Sequence, residues 1–161
     1  LHTAYRRQRQ MCIRDRTYAQ MITDSHPVKV WQNLFATLLA NDQPDESVLF
    51  HCAAGKDRTG VAATLIMTAL DIPRETIIKD YLLTNAVFMA ADQLDNNSII
   101  TEANNGDLAS HFNSALDVEA DNLKMVFRVF DDLYGGGIGY LREVIGLSVA
   151  DINLLKQLYL D

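Results

Sequence analysis

The chain has 161 residues, 48% of them hydrophobic, and a formal net charge of −7. That size and composition predict one ordinary globular domain, and no apolar run is long enough to cross a membrane. An acidic body excludes nucleic acid as a partner, because phosphate-backbone binding needs a basic face.

The charge is unevenly placed. Residues 1–16 hold five arginines against Asp15, a net +4, which leaves −11 for the remainder. Met11-Cys12-Ile13-Arg14-Asp15-Arg16 resembles translated adaptor sequence, and residues 1–16 are expected to be a non-native or disordered basic tail. Setting Cys12 aside with that tail leaves Cys52 as the informative cysteine. One thiol cannot close an intramolecular disulfide, which fits a reducing compartment or a reactive cysteine. A cytoplasmic protein fits, and so does a secreted one whose leader lies upstream.

Pro27 stands at a favoured first helical position. Trp31, Leu34, Phe35, Leu38 and Leu39 follow at helical spacing as one apolar stripe. Asn41 to Asp45 is a turn cluster, and Ser47–His51 reads as a buried strand. The uninterrupted stretch from Val61 to Leu70 reads as a helix. Pro73 opens another helix running to about Asn85 and onward to Leu94, with interruptions at Asp95–Ser98 and Ala103–Asp107. Leu123, Val126, Phe127, Phe130, Leu133 and Tyr134 form a further stripe, ended by Gly135-Gly136-Gly137. Gly146 closes a short helix. Ser148 with Asp151 caps the last one, where Leu154, Leu155 and Leu158 face inward.

Between the strand and the helix, residues 51–60 read His-Cys-Ala-Ala-Gly-Lys-Asp-Arg-Thr-Gly. A loop ending at a helix N-terminus binds anions, since free backbone N–H groups and the helix dipole both favour negative charge. A thiol in that electropositive cup has a lowered pKa and becomes a nucleophile at neutral pH. Arg58 offers the planar two-pronged donor that matches two phosphoryl oxygens. The amides of Ala53, Ala54, Gly55, Lys56, Asp57, Arg58 and Thr59 form the expected cradle, with Gly55 allowing the backbone to turn inward. Thr59 is placed to hydrogen-bond the thiolate, or else to cap the helix. His51 is expected to orient the loop, and Lys56 is either a second rim cation or a solvated lysine. The Walker nucleotide loop is excluded, because Phe50 and Asp57 stand where it needs glycine and a hydroxyl residue. No cluster has metal-ligand spacing, and the chemistry needs neither metal nor cofactor.

These residues resemble the cysteine-based protein tyrosine phosphatases, and more narrowly the bacterial tyrosine/lipid phosphatase group whose loop reads His-Cys-x-x-Gly-Lys-Asp-Arg-Thr-Gly. Asp80-Tyr81-Leu82-Leu83-Thr84-Asn85 follows at that group's spacing, and Leu133-Tyr134-Gly135, Tyr140-Leu141 and Leu147-Ser148 resemble its tail. The resemblance implies an α/β fold of the tyrosine phosphatase type, mostly helical here around the loop strand. It implies hydrolysis of phosphomonoesters through a phosphocysteine on Cys52, with phosphotyrosine protein as the default substrate. A phosphoinositide substrate, which Lys56 permits, and a catalytically silent phosphate-binding fragment stay open as alternatives.

The same resemblance makes Asp57 a candidate general acid, against a helix-start aspartate stabilised by the dipole, and gives Asp80 and Tyr81 a buttressing role. His26 and His111 are isolated and read as structural or solvated. In that family most of the sheet precedes the loop, so 17–161 is expected to be the C-terminal part of one phosphatase domain. The faces of Val48, Leu49 and Phe50 are then expected to be incompletely covered, and the chain alone poorly stable or inactive. The oligomeric state is not written in the sequence.

Overall fold

No glycine or proline interrupts residues 1–26, and the backbone there folds as one long helix, α1 (His2–Thr23). The computed structural model describes residues 2–43, 45–99 and 117–160, with side chains described over 13–43, 45–87 and 117–160. The basic stretch set aside by composition therefore belongs, in its described backbone, to α1. Arg14 Nη1 lies 2.8 Å from Glu119 Oε1, and Tyr18 and Ile22 are buried one and two turns later. A breaker-free run that leads into buried side chains continues as helix whatever its charge.

Helix α2 (Ser25–Ala40) begins two residues before Pro27. The proline still falls within the first turn, where its missing N–H would have had no intrahelical partner. Trp31, Phe35 and Leu38 are buried from the expected stripe, with Leu34 and Leu39 half-buried at its margins. The Trp31 indole donates to the Met21 carbonyl at 2.6 Å and fixes α2 against α1.

Helix α3 (Asp57–Ala69) is the hub of the fold, packing against α4 (Arg74–Ile99), α5 (Ala120–Tyr134), α6 (Gly137–Tyr140) and α7 (Val149–Tyr159). Val61 and Leu65 on it are fully buried, each burial stabilising by about 1.5–3 kcal/mol. The chain belongs to the mostly helical class expected, with one correction. Ser47–His51 pairs with nothing as a strand among the described residues. Leu49 is 89% exposed while Val48 and Phe50 pack partly on the core, so the segment covers one face only. An extended segment without a ladder partner has no hydrogen bonds to define it as a strand.

Two further boundaries differ. Helix α4 runs unbroken to Ile99, through the Asp95–Ser98 interruption, because asparagine and serine only weakly disfavour helix. The expected break at Ala103–Asp107, like His111, lies outside the described residues. Leu133 on α5 and Leu154 on α7 are exposed, and Ile152 joins Leu155 on the inward face of α7. The Ser148–Asp151 capping box forms as expected, and Gly146 ends a short π-helical turn, Leu141–Ile145.

The far side of the hub is an aromatic corner. Phe130 and Tyr140 stack with ring centroids 4.7 Å apart, and Tyr134 meets Tyr140 edge-on at 5.3 Å. The Tyr140 hydroxyl donates to the Ile22 carbonyl at 2.8 Å, tying this corner to α1. At Gly139 a Cβ would fall on the Tyr134 carbonyl, well inside contact distance. A backbone carbonyl cannot swing aside as a side chain can, so Gly139→Ala is expected to cost about 3 kcal/mol. Thermal unfolding followed by circular dichroism checks this, and an unchanged Tm would show that the corner relaxes freely.

Candidate active site

The loop from Cys52 to Lys56 joins the extended segment to α3. Gly55 has φ +66°, a left-handed conformation that glycine adopts without strain. That turn aims successive amides at the Cys52 sulfur. Burial pushes the thiol pKa up, but hydrogen bonding from the Thr59 hydroxyl and from the amides of Thr59, Ala54 and Gly55 outweighs it. The net effect lowers Cys52 from 9.0 to about 6. The Thr59 hydroxyl is buried and makes no hydrogen bond of ordinary geometry to any partner, so its effect on the thiol is that of a nearby donor aimed at the sulfur. Thr59 lies inside α3 rather than capping it.

Cys52, His51, Arg58 and Thr59 share one cavity of about 460 Å³. Its remaining wall is largely apolar and includes Met21, Trp31, Leu34 and Phe50, with His26 at the edge. Arg58 is exposed and has no carboxylate partner among the described residues. The His51 ring nitrogen Nδ1 lies 3.4 Å from the Cys52 carbonyl, a long contact at the loop entry. Ala53, Ala54 and Gly55 are exposed on the rim. No group of three or more histidine, cysteine, aspartate or glutamate side chains is arranged to hold a metal among the described residues.

Neither Asp57 nor Lys56 is among the residues that line this cavity. Lys56 folds back, its Nζ 2.9 Å from Asp57 Oδ2, and only 12% of its side chain is exposed. Asp57, with 35% of its side chain exposed, accepts a 2.6 Å hydrogen bond from the Tyr18 hydroxyl of α1. Lys56, Asp80 and Tyr81 border a small cleft of about 90 Å³ between α3 and α4. Tyr81 packs against the first turns of α3: a Cβ at Gly60 would meet its ring at 2.5 Å, and its hydroxyl bonds to Tyr18. Asp80 lies exposed beside it. Tyr18 and Asn122 escaped the sequence reading. Nothing local marks a tyrosine next to a basic stretch, or an asparagine inside a helical stripe, as a neighbour of a loop far away in the chain.

A thiol with a lowered pKa among amides near a helix N-terminus, sharing a cavity with a guanidinium that forms no ion pair among the described residues, is chemically suited to a tetrahedral oxyanion. The profile described as the tyrosine phosphatase family matches residues 3–161, and the chain belongs to that family. It is 32% identical over 127 residues to a Cupriavidus necator protein described as a candidate tyrosine-protein phosphatase, covering 79% of this chain and 45% of that one. It is 33% identical over 132 residues to the triple specificity protein phosphatase PtpB of Mycobacterium tuberculosis, covering 77% and 46%. With a tyrosine-protein phosphatase of Nostoc commune it shares 31% over 143 residues, covering 86% and 46%. The chain thus spans about half the length of the curated relatives it matches.

The depressed thiol has a direct readout. Alkylation of Cys52 by iodoacetamide, a thiolate reaction, is expected to rise with pH through a midpoint near 6. Thr59→Val removes one donor to the sulfur and should move that midpoint upward. A wild-type midpoint at the ordinary thiol value would contradict the cradle's effect on Cys52.

Proposed function

We propose that the protein hydrolyses phosphomonoesters through a phosphocysteine, with protein phosphotyrosine as the principal substrate. The observation that carries this is the Cys52 thiol lowered to about 6 by the donors around it, with Arg58 on the same cavity wall. In the first step the Cys52 sulfur attacks phosphorus as the bond to the leaving oxygen breaks. Arg58 and the loop amides bind the three equatorial oxygens, where charge accumulates. Asp57 is the proposed general acid, giving its proton to the departing oxygen. In the second step water attacks phosphorus, the Asp57 carboxylate takes its proton, and the P–S bond breaks to release phosphate and the thiolate. Thr59 supports that departure by donating to the sulfur.

The apolar wall of Trp31, Phe50 and Met21 suits an aryl ring, which favours phosphotyrosine. A phosphoinositide reading draws on Lys56 and on the breadth in the name of the mycobacterial relative. Here the ammonium of Lys56 is engaged by Asp57, so it has to leave that carboxylate before it reaches a second phosphate. A silent phosphate-binding role leaves the lowered thiol pKa without a purpose. The domain reading extends the same proposal: 17–161 forms the C-terminal, loop-bearing part of one phosphatase domain.

Cys52→Ser in the protein as its gene encodes it is expected to reduce aryl phosphate turnover below a few per cent of wild type while phosphate still binds. Turnover surviving well above that level would overturn the covalent mechanism. Asp57→Asn should slow phenyl phosphate by about 10²-fold or more, and a nitro-activated aryl phosphate far less, since a good leaving group needs little protonation. Equal losses on both substrates would remove Asp57 from the acid role.

A further inference from the structure

The hydrogen bonds behind Asp57 run in one direction. Asn122, on α5, is 4% exposed, and its Nδ2 donates to the Tyr81 hydroxyl oxygen at 3.2 Å. An amide nitrogen can only donate, so the Tyr81 proton turns to its other neighbour, the Tyr18 hydroxyl at 2.5 Å. Tyr18 in turn donates to Asp57 Oδ1 at 2.6 Å, and an ionised carboxylate only accepts. Three donors from α5, α4 and α1 are thus aligned on one carboxylate, each polarising the next. Tyr18 and Tyr81 are 3% and 4% exposed, so water does not compete for these bonds.

We propose that Tyr18, Tyr81 and Asn122 are positioning residues for the reaction: their chain of hydrogen bonds fixes the orientation of the Asp57 carboxyl. The inference rests on Asp57 being the general acid. Its chemistry follows from the two steps. The same carboxyl must face the leaving oxygen in the first step and the attacking water in the second, so it has to be held in one place through both. Tyr18 is held protonated well above the ordinary phenol range, first by burial and then by the hydrogen bond it donates to Asp57, so it stays a donor throughout the working pH. Among the described residues, the other charged groups near this chain of bonds are Lys56 and Arg58 on the segment of Asp57, and, beside Tyr81, Arg14 of α1, itself paired with Glu119, and the exposed Asp80 of α4. Of these, only Lys56 makes an ion pair with Asp57.

The test compares Tyr18→Phe, Tyr81→Phe and Asp57→Asn in the protein as its gene encodes it, with phenyl phosphate and a nitro-activated aryl phosphate across pH. Tyr18→Phe removes the hydrogen bond that holds the Asp57 carboxyl in place. At the pH optimum, kcat on phenyl phosphate should fall about 10-fold through lost orientation, with KM little changed and the activated substrate nearly unaffected. Tyr81→Phe, one bond further away, should show the same pattern more weakly, and it stands in should Tyr18→Phe fold poorly. Equal losses on both substrates in both tyrosine variants, while Asp57→Asn stays selective for phenyl phosphate, would overturn the positioning role and leave the acid reading intact. Loss of that selectivity in Asp57→Asn itself would overturn both.

Discussion

The constraint on which the site depends is the electrostatics of the α3 N-terminus. Amides at that end have no intrahelical acceptor, and the loop from Cys52 to Lys56 turns them inward toward one point. Placing a thiol there sets burial against hydrogen bonding. Burial alone raises its pKa, and the converging donors of Thr59, Ala54 and Gly55 reverse that. The ionised sulfur is thus what the local backbone already favours, and a phosphate group answers the same field. Arg58 forms no ion pair with a carboxylate among the described residues, so its charge is available to an anion in the cavity. The loop holds this geometry because α3 is packed on four other helices and anchored by fully buried Val61 and Leu65. A cradle of this kind works only when it is already formed before the substrate arrives.

A second layer ties the loop to residues remote in sequence. Tyr18 from α1, Tyr81 from α4 and Asn122 from α5 meet behind Asp57, and Tyr81 also packs against Gly60. The position of α5 is secured nearby. Asn85 bonds the backbone of Val118 in both directions, at 2.9 and 2.8 Å, just ahead of that helix. Arg74 grips Asp131 with both terminal nitrogens and lies over the Phe127 ring at 4.9 Å. These contacts fix where α4 and α5 stand, and so where the hydrogen-bonded chain ends.

Placements decided by short-range geometry were legible in the sequence. The spacing of Cys52, Gly55 and Arg58 implied the turn and the shared cavity, and the Trp31–Phe35–Leu38 and Val126–Phe130 stripes showed by their period. Ser148 and Asp151 form the capping box that their spacing implies. What sequence left hidden depends on long-range placement. A strand is defined by its partner, so Ser47–His51 with no partner among the described residues is only an extended segment. The basic composition of residues 1–16 suggested a tail, and the described backbone from His2 onward is part of α1. Tyr18 and Asn122 carry no local signature, since their importance comes from being brought together by three helices. Lys56 could be read as a rim cation from its position, but its turn onto Asp57 is a property of side-chain geometry.

The account stands or falls on a covalent bond between Cys52 and phosphorus. Its most direct measurement is acid quenching of the enzyme during turnover of a phosphotyrosine substrate, followed by mass spectrometry of its peptides. The account requires one phosphoryl group on the peptide carrying Cys52, attached to sulfur and absent from the substrate-free control. A phosphoryl group on His51 instead, or no covalent adduct under conditions of rapid turnover, would contradict it.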